Sequence, residues 1–236
     1  MEQLKNKQVL LLGATGGIGA NLLKLLTNSG AHVWMAGRQL DKLQALSQEN
    51  QIPSERILQV DLADAQSVQL FTQKITPIAF DIFINAAGIG IIKPIDQLQA
   101  SEMQSSLQVN VLSIFDIVKS ILPKMIEVKK GLIINIPGIL GKTPMSGAAA
   151  YCASKYALVG MMQSIREELK RTEIRITQVY LGGVDSPFWD TINLRVQREK
   201  MIQAEEAAKS IWFLCQQPTS GVVSEMVLQP FNHQVI

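Results

Sequence analysis

The chain has 236 residues, 47% apolar and 18% charged, too apolar for a disordered segment. Its 22 Lys+Arg against 20 Asp+Glu leave a net charge of +2 with no basic stripe, so a nucleic-acid surface has no electrostatic support. Two cysteines (Cys152, Cys215) and two histidines (His32, His233) are too few for a disulfide framework or a histidine-rich metal site, and point to a reducing cytoplasm. No apolar run reaches the ~18 residues of a membrane span. Lys5 and Lys7 ahead of Val9-Leu10-Leu11-Leu12 faintly imitate a signal peptide, but the run stops at Gly13 and no cleavage pattern follows.

Residues 8–12 are apolar and bounded by Gly13, which suits a buried strand. Leu22, Leu23, Leu25 and Leu26 recur at helical spacing over residues 18–29, with Gly30 as the stop. A strand at 32–36 and a helix at 40–50 follow, then a strand at 56–60, a helix at 65–75 and a strand at 81–85. A long helical region runs from about 99 to 122, where Pro123 closes it. Its neighbours from Lys124 to Lys130 read as the wet end of that helix. Residues 131–136 form the fifth strand, 151–171 a helix, 175–180 the sixth strand, 204–215 the last helix and 224–229 the last strand. Regular strand–helix alternation implies parallel strands with right-handed crossovers. The expected architecture is α/β: a single-domain doubly wound (Rossmann) parallel sheet of about seven strands over residues 1–236, with helices on both faces.

After the first strand, Gly13-Ala14-Thr15-Gly16-Gly17-Ile18-Gly19 runs straight into a helix. A glycine-rich turn lets backbone N–H groups approach phosphate, and a helix N-terminus favours its charge. The second strand ends in Ala36-Gly37-Arg38. An acidic residue there would bind the ribose 2′-hydroxyl of NAD and repel a 2′-phosphate; Arg38 can instead pair with that phosphate. The expected cofactor is therefore NADP(H) in preference to NAD(H), the alternative for Arg38 being a solvated residue at a helix start. Asp61-Leu62, after the third strand, either meets an adenine rim or caps the next helix.

The glycine turn, Asn85-Ala86-Ala87-Gly88 after the fourth strand, Asn110 in the long helix, Tyr151-Cys152-Ala153-Ser154-Lys155, and Gly182-Gly183-Val184-Asp185-Ser186-Pro187 after the sixth strand together resemble the short-chain dehydrogenase/reductase family. The resemblance covers essentially the whole chain. It implies NAD(P)(H)-dependent oxidation of an alcohol or reduction of a carbonyl. Tyr151 and Lys155, four apart, share a helix face. A phenol of pKa ~10 is a poor acid–base catalyst at neutral pH, and a neighbouring ammonium favours the phenolate. Tyr151 would then exchange a proton with the substrate oxygen. By resemblance, Lys155 also holds the nicotinamide ribose and Asn110 props a water that relays protons to it. Asn85, Ala86 and Gly88 shape the floor beneath the cofactor. Gly182, Val184 and Ser186 flank the nicotinamide, with Ile136 nearby.

The family's serine falls 13 residues before the tyrosine, and here that position is Gly138, preceded by Pro137. Losing one preorganised donor at a developing oxyanion typically lowers turnover ~10²–10³-fold. The expected activity is reduction of a small apolar carbonyl, or oxidation of the alcohol. The alternative is an NADPH-binding protein impaired in catalysis, a redox sensor or structural partner. Leu181 stands where the family often has proline. Ile89, Ile91, Leu140, Met145, Phe188 and Trp189 are expected pocket walls, the last two being equally suited to the core. Residues 185–203 are the expected substrate loop, with Arg195, Arg198 and Lys200 on a solvated face. His233 is expected to be solvated. The resemblance further implies a homodimer or homotetramer.

Overall fold

The computed structural model describes residues 4–218 and 220–231. Its strands are β1 (Gln8–Leu12), β2 (His32–Gly37), β3 (Ile57–Gln59), β4 (Ile82–Asn85), β5 (Lys130–Asn135), β6 (Glu173–Leu181), the short β7 (Val184–Asp185) and β8 (Ile202–Gln203), and β9 (Glu225–Leu228). Seven of them form one parallel sheet in the order β3-β2-β1-β4-β5-β6-β9, as the alternation predicts. β7 pairs with β8 and closes off residues 186–201 as an excursion beyond the sheet.

Helices α1 (Gly17–Asn28), α2 (Leu40–Asn50), α3 (Ala65–Ile75), α4 (Ala100–Leu107), α5 (Ser113–Glu127), α6 (Ala149–Leu169) and α7 (Ala204–Leu214) cover the two faces. The period-two geometry of a strand sorts the core. Val9, Leu11, Val33 and Ile84 meet Leu22 and Leu26 of α1 and Ile211 of α7. Leu10, Leu12, Phe83 and Ile133 meet Phe71 of α3, Ile117 and Ile121 of α5 and Leu158 of α6. Because both faces are covered, β1 is apolar from Val9 to Leu12 instead of alternating, and those four residues are at most 1% exposed.

Two features of the long helical region differ from the sequence expectation. A π turn at Gln108–Leu112 separates α4 from α5, and α5 continues through Pro123 to Glu127. The proline forfeits one backbone hydrogen bond. Ile121 before it and Met125 after it are both buried on the same face, so packing carries the helix across. Asp61 does not cap α3. Asp64 does, with Oδ1 accepting from Gln66 N at 2.9 Å, while Asp61 Oδ1 accepts from Ala63 N at 3.0 Å in the turn before it.

A row of amides crosses the sheet where its carboxyl ends begin. Asn85, Asn135 and Gln178 stand in register on β4, β5 and β6 and are fully buried. Asn85 Nδ2 donates to Asn135 Oδ1 (2.9 Å), Asn135 Nδ2 to Gln178 Oε1 (2.7 Å), and Gln178 Nε2 to the Val159 carbonyl (3.4 Å). Buried amides are tolerated only when paired in this way.

Candidate active site

At the carboxyl end of β1 the chain must turn sharply into α1, and the glycines fit that demand. Gly13 has φ +84°, and a Cβ there would lie 2.7 Å from Ala86 C and Ala87 N. A Cβ on Gly19 would collide with the Gly13 carbonyl. Among the described residues no side chain caps α1, and its first turn holds no acidic residue. Its leading N–H groups and positive dipole end therefore face the cleft without a competing anion. Such a cradle fits a dinucleotide's pyrophosphate.

Two hollows meet along this turn. One, of about 300 Å³, is lined by Gly13, Thr15, Gly37, Arg38, Asp61, Leu62 and Ile89, with Gly16, Ala86, Ala87 and Gly88 at the shared edge. The Arg38 guanidinium makes no ion pair with the described residues, while its carbonyl accepts from Gln59 Nε2 at 3.1 Å. The other, of about 380 Å³, runs from Gly16, Gly17, Ile18 and Gly19 to Tyr151 and Lys155. Ala86, Gly88, Ile136, Gly138, Gly182, Val184 and Ser186 line it too. Of the expected walls, Leu140, Met145, Phe188 and Trp189 face this second hollow, Ile89 belongs to the first, and Ile92 lines the cleft in place of Ile91. Expected positions around the turn, after β4, on α6 and after β6 thus line two adjoining hollows, while Asn85 and Asn110 are buried behind them and line neither.

Lys155 is 3% exposed, and its Nζ lies 5.4 Å from the Tyr151 ring centroid. Burial pulls its pKa down to about 8. Burial, and secondarily the charge of Cys152, pushes the Tyr151 phenol upward. A Cβ on Gly88 would come within 3.0 Å of both Lys155 Nζ and Asn110 Oδ1, so glycine leaves room for the ammonium. Asn110 sits in the π turn and clamps one residue of the β4 exit: its Oδ1 accepts from Ile89 N and its Nδ2 donates to the Ile89 carbonyl, each at 2.9 Å. Nδ2 also reaches Ser154 Oγ at 2.9 Å. Asn85 Oδ1 accepts from Ala87 N at 3.3 Å, which ties the same exit to the amide row.

Gly138 has φ +75° and ψ 172°. An added Cβ would meet only the Leu181 carbonyl, at 3.6 Å, so there is space for a side chain but not a backbone that L residues readily adopt. A side chain at this position would therefore be limited by the backbone and not by space. Arg198 also departs from expectation, since it bonds Asp185 and Asp190 instead of lying on a purely solvated face. Gly17 and Gly90, two contact points for the chain after β7, carry no sign of that role in the sequence beyond their lack of a side chain. His233 lies outside the described residues.

A doubly wound parallel sheet with a glycine turn after β1 and a Tyr–Lys pair one helical turn apart defines a nucleotide-dependent oxidoreductase. The short chain dehydrogenase family model matches residues 7–197, and the chain belongs to the short-chain dehydrogenase/reductase family. It is similar to an oxidoreductase of Staphylococcus aureus, 29% identical over 232 residues, which cover 98% of this chain and 100% of the relative. A relative in Staphylococcus epidermidis is 25% identical over 232 residues, with the same coverage. Among solved structures, a metagenomic short-chain oxidoreductase in complex with NADP is 27% identical, with a TM-score of 0.82 over 98% of this chain and 100% of that one. An archaeal alcohol dehydrogenase from Thermococcus sibiricus shares the fold, with a TM-score of 0.85 at 21% identity, over 98% of this chain and 100% of that one. No helix among the described residues is long and apolar enough to cross a membrane.

Proposed function

We propose that the protein is an NADP(H)-dependent reductase of small apolar aldehydes or ketones, working in reverse as an alcohol dehydrogenase. The observation that carries this reading is the continuity of the cleft: one cavity joins the glycine turn to Tyr151 and Lys155, and its remaining walls are mostly aliphatic and aromatic. The cradle at Gly13, Gly16 and Gly17 fits the pyrophosphate, and Arg38 fits a 2′-phosphate. When bound, the cofactor supplies the hydride. The NADP held by the 27%-identical relative supports the same assignment.

The chain's own residues then manage the proton. With a folded pKa near 8, Lys155 is mostly charged at pH 7, and an ammonium beside Tyr151 opposes the upward push that burial gives the phenol in the cofactor-free cleft. Tyr151 gives its proton to the carbonyl oxygen during reduction and removes it during oxidation. Ile139, Leu140, Met145, Phe188 and Trp189 exclude water from the reacting carbon and offer no cation to a carboxylate substrate. Gly138 contributes no side-chain donor, so Tyr151 is left to stabilise the developing alkoxide.

The test follows NADPH absorbance with a panel of apolar aldehydes and ketones, beside NADH and a Tyr151→Phe variant. Turnover is expected with NADPH and to fall by about 10²–10⁴-fold in Tyr151→Phe, with NADPH binding retained. Turnover that survives loss of the phenol removes Tyr151 from the chemistry. Equal affinities for NADPH and NADH would sink the role given to Arg38.

A further inference from the structure

Arg198 ties the chain after β7 together at three points, beside the Trp189 Nε1 bond to the Val184 carbonyl (2.9 Å). Arg198 donates from Nε to Asp185 Oδ1 (2.5 Å), from Nη1 to Asp190 Oδ1 (2.7 Å) and from Nη2 to the Ser186 carbonyl (2.9 Å). These bonds grip the 3₁₀ turn Pro187–Thr191 at its start and on its flank, and that turn carries Phe188 and Trp189 into the cleft. A planar guanidinium spreads its donors over three nitrogens in a fixed fork, whereas an ammonium offers its three donors from a single nitrogen on a flexible stem.

The inner side of the same turn rests on two glycines. Ser186 Cβ and Pro187 Cδ lie 2.7 and 3.2 Å from where a Cβ of Gly17 would be, at the first residue of α1. Phe188 occupies the space a Cβ on Gly90 would need, with Ile192 Cδ1 3.1 Å from it. Phe188 also lies against Tyr151, ring centroids 5.8 Å apart. The turn therefore spans the cleft from the glycine-rich end to the wall beyond β4, and covers the Tyr151 ring between them.

We propose that Arg198 is a positioning residue that latches residues 186–192 over the cleft, and that Gly90 is the seat on which this segment closes. Together they set how long cofactor and carbonyl substrate remain bound. For its ligands this inference rests on the function proposed above; the latch itself stands on the contacts just described. Arg198 touches neither Tyr151 nor Lys155, so it acts through the turn it holds.

The test compares the full chain with Arg198→Gln, Arg198→Lys and Gly90→Ala. Hydrogen exchange of peptides spanning 186–192 is read without cofactor, and NADPH release by stopped-flow displacement. Exchange in that segment and NADPH release are both expected to quicken roughly three- to tenfold in Arg198→Gln and Gly90→Ala, with Arg198→Lys in between and the exchange of β1, β4 and β5 unchanged. The KM for the carbonyl should rise more than kcat falls, a split that a general loss of stability does not produce. Unaltered exchange at 186–192 in Arg198→Gln would overturn the latch, and a wild-type pattern in Gly90→Ala would overturn the seat. Faster exchange in both variants, with no form retaining NADPH, would support the latch while overturning the cofactor reading.

Discussion

Gly138 and Lys155 show how a backbone angle and a burial change what a residue type can do. At φ +75° Gly138 occupies a region that a Cβ makes costly. Gly138→Ala and Gly138→Ser are therefore both expected to lose about 1–3 kcal/mol in urea denaturation. For Gly138→Ser, turnover should not rise despite the restored hydroxyl. A serine variant as stable as the parent and faster would show that the turn relaxes to the family's usual form. Counting back from Tyr151 finds the missing hydroxyl, but the sign of φ is set by the packing of the turn, which residue types do not reveal. Lys155 carries a second prediction. Its pKa is about 8 when folded against an ordinary 10.5, so below about pH 8 both states are charged and the folded one bears the full burial penalty. As pH rises from about 8 to about 10.5 the unfolded chain holds a proton that the folded chain has released, and stability increases. The cofactor-free protein should gain stability over that window relative to Lys155→Met. A difference independent of pH would place the ammonium in a solvated setting.

At the level of elements, the helical region between α4 and α5 holds the clearest gap between pattern and structure. Its apolar spacing runs on through residues 108–112, so a single helix is the natural reading. The π turn there brings Asn110 inward, where one amide satisfies both main-chain groups of Ile89. Asn110→Ala would strip partners from a partly buried N–H and C=O and is expected to cost about 2–4 kcal/mol in urea denaturation. A loss below 1 kcal/mol would mean that other groups or water hold the Ile89 segment. By contrast, β1, β4 and β5 are legible from composition alone. Strands covered on both faces favour apolar residues on both, with exceptions only where a buried polar group is paired as Asn85 and Asn135 are, and short runs of Val, Ile and Leu are what such strands leave in a sequence. Pro123 misleads because its local cost is visible in the sequence, while the burial of Met125 beyond it is not.

For the molecule as a whole, the candidate site draws on segments far apart in the chain, from Gly13 to Trp189, that meet only at the carboxyl edge of the sheet. Position at that edge was readable because the fold class fixes which strand ends face the crevice. What the sequence did not disclose were the ties between segments: Arg198 to Asp185 and Asp190, the two glycine contacts, and the row of amides across three strands. Each depends on side chains meeting from separate elements, for which periodicity carries no signal.

The strand order also has a consequence during synthesis. β1 pairs with β2, which ends at Gly37, but its other neighbour, β4, is complete only at Asn85. At ~5–20 residues per second the ribosome takes roughly 2–10 s to cover that interval. Throughout it, the edge formed by Val9, Leu10, Leu11 and Leu12 has no partner, and an open apolar edge is a template for pairing with another chain. The period for which β1 offers that edge to a neighbouring nascent copy is thus set by the place of β4 in the sequence.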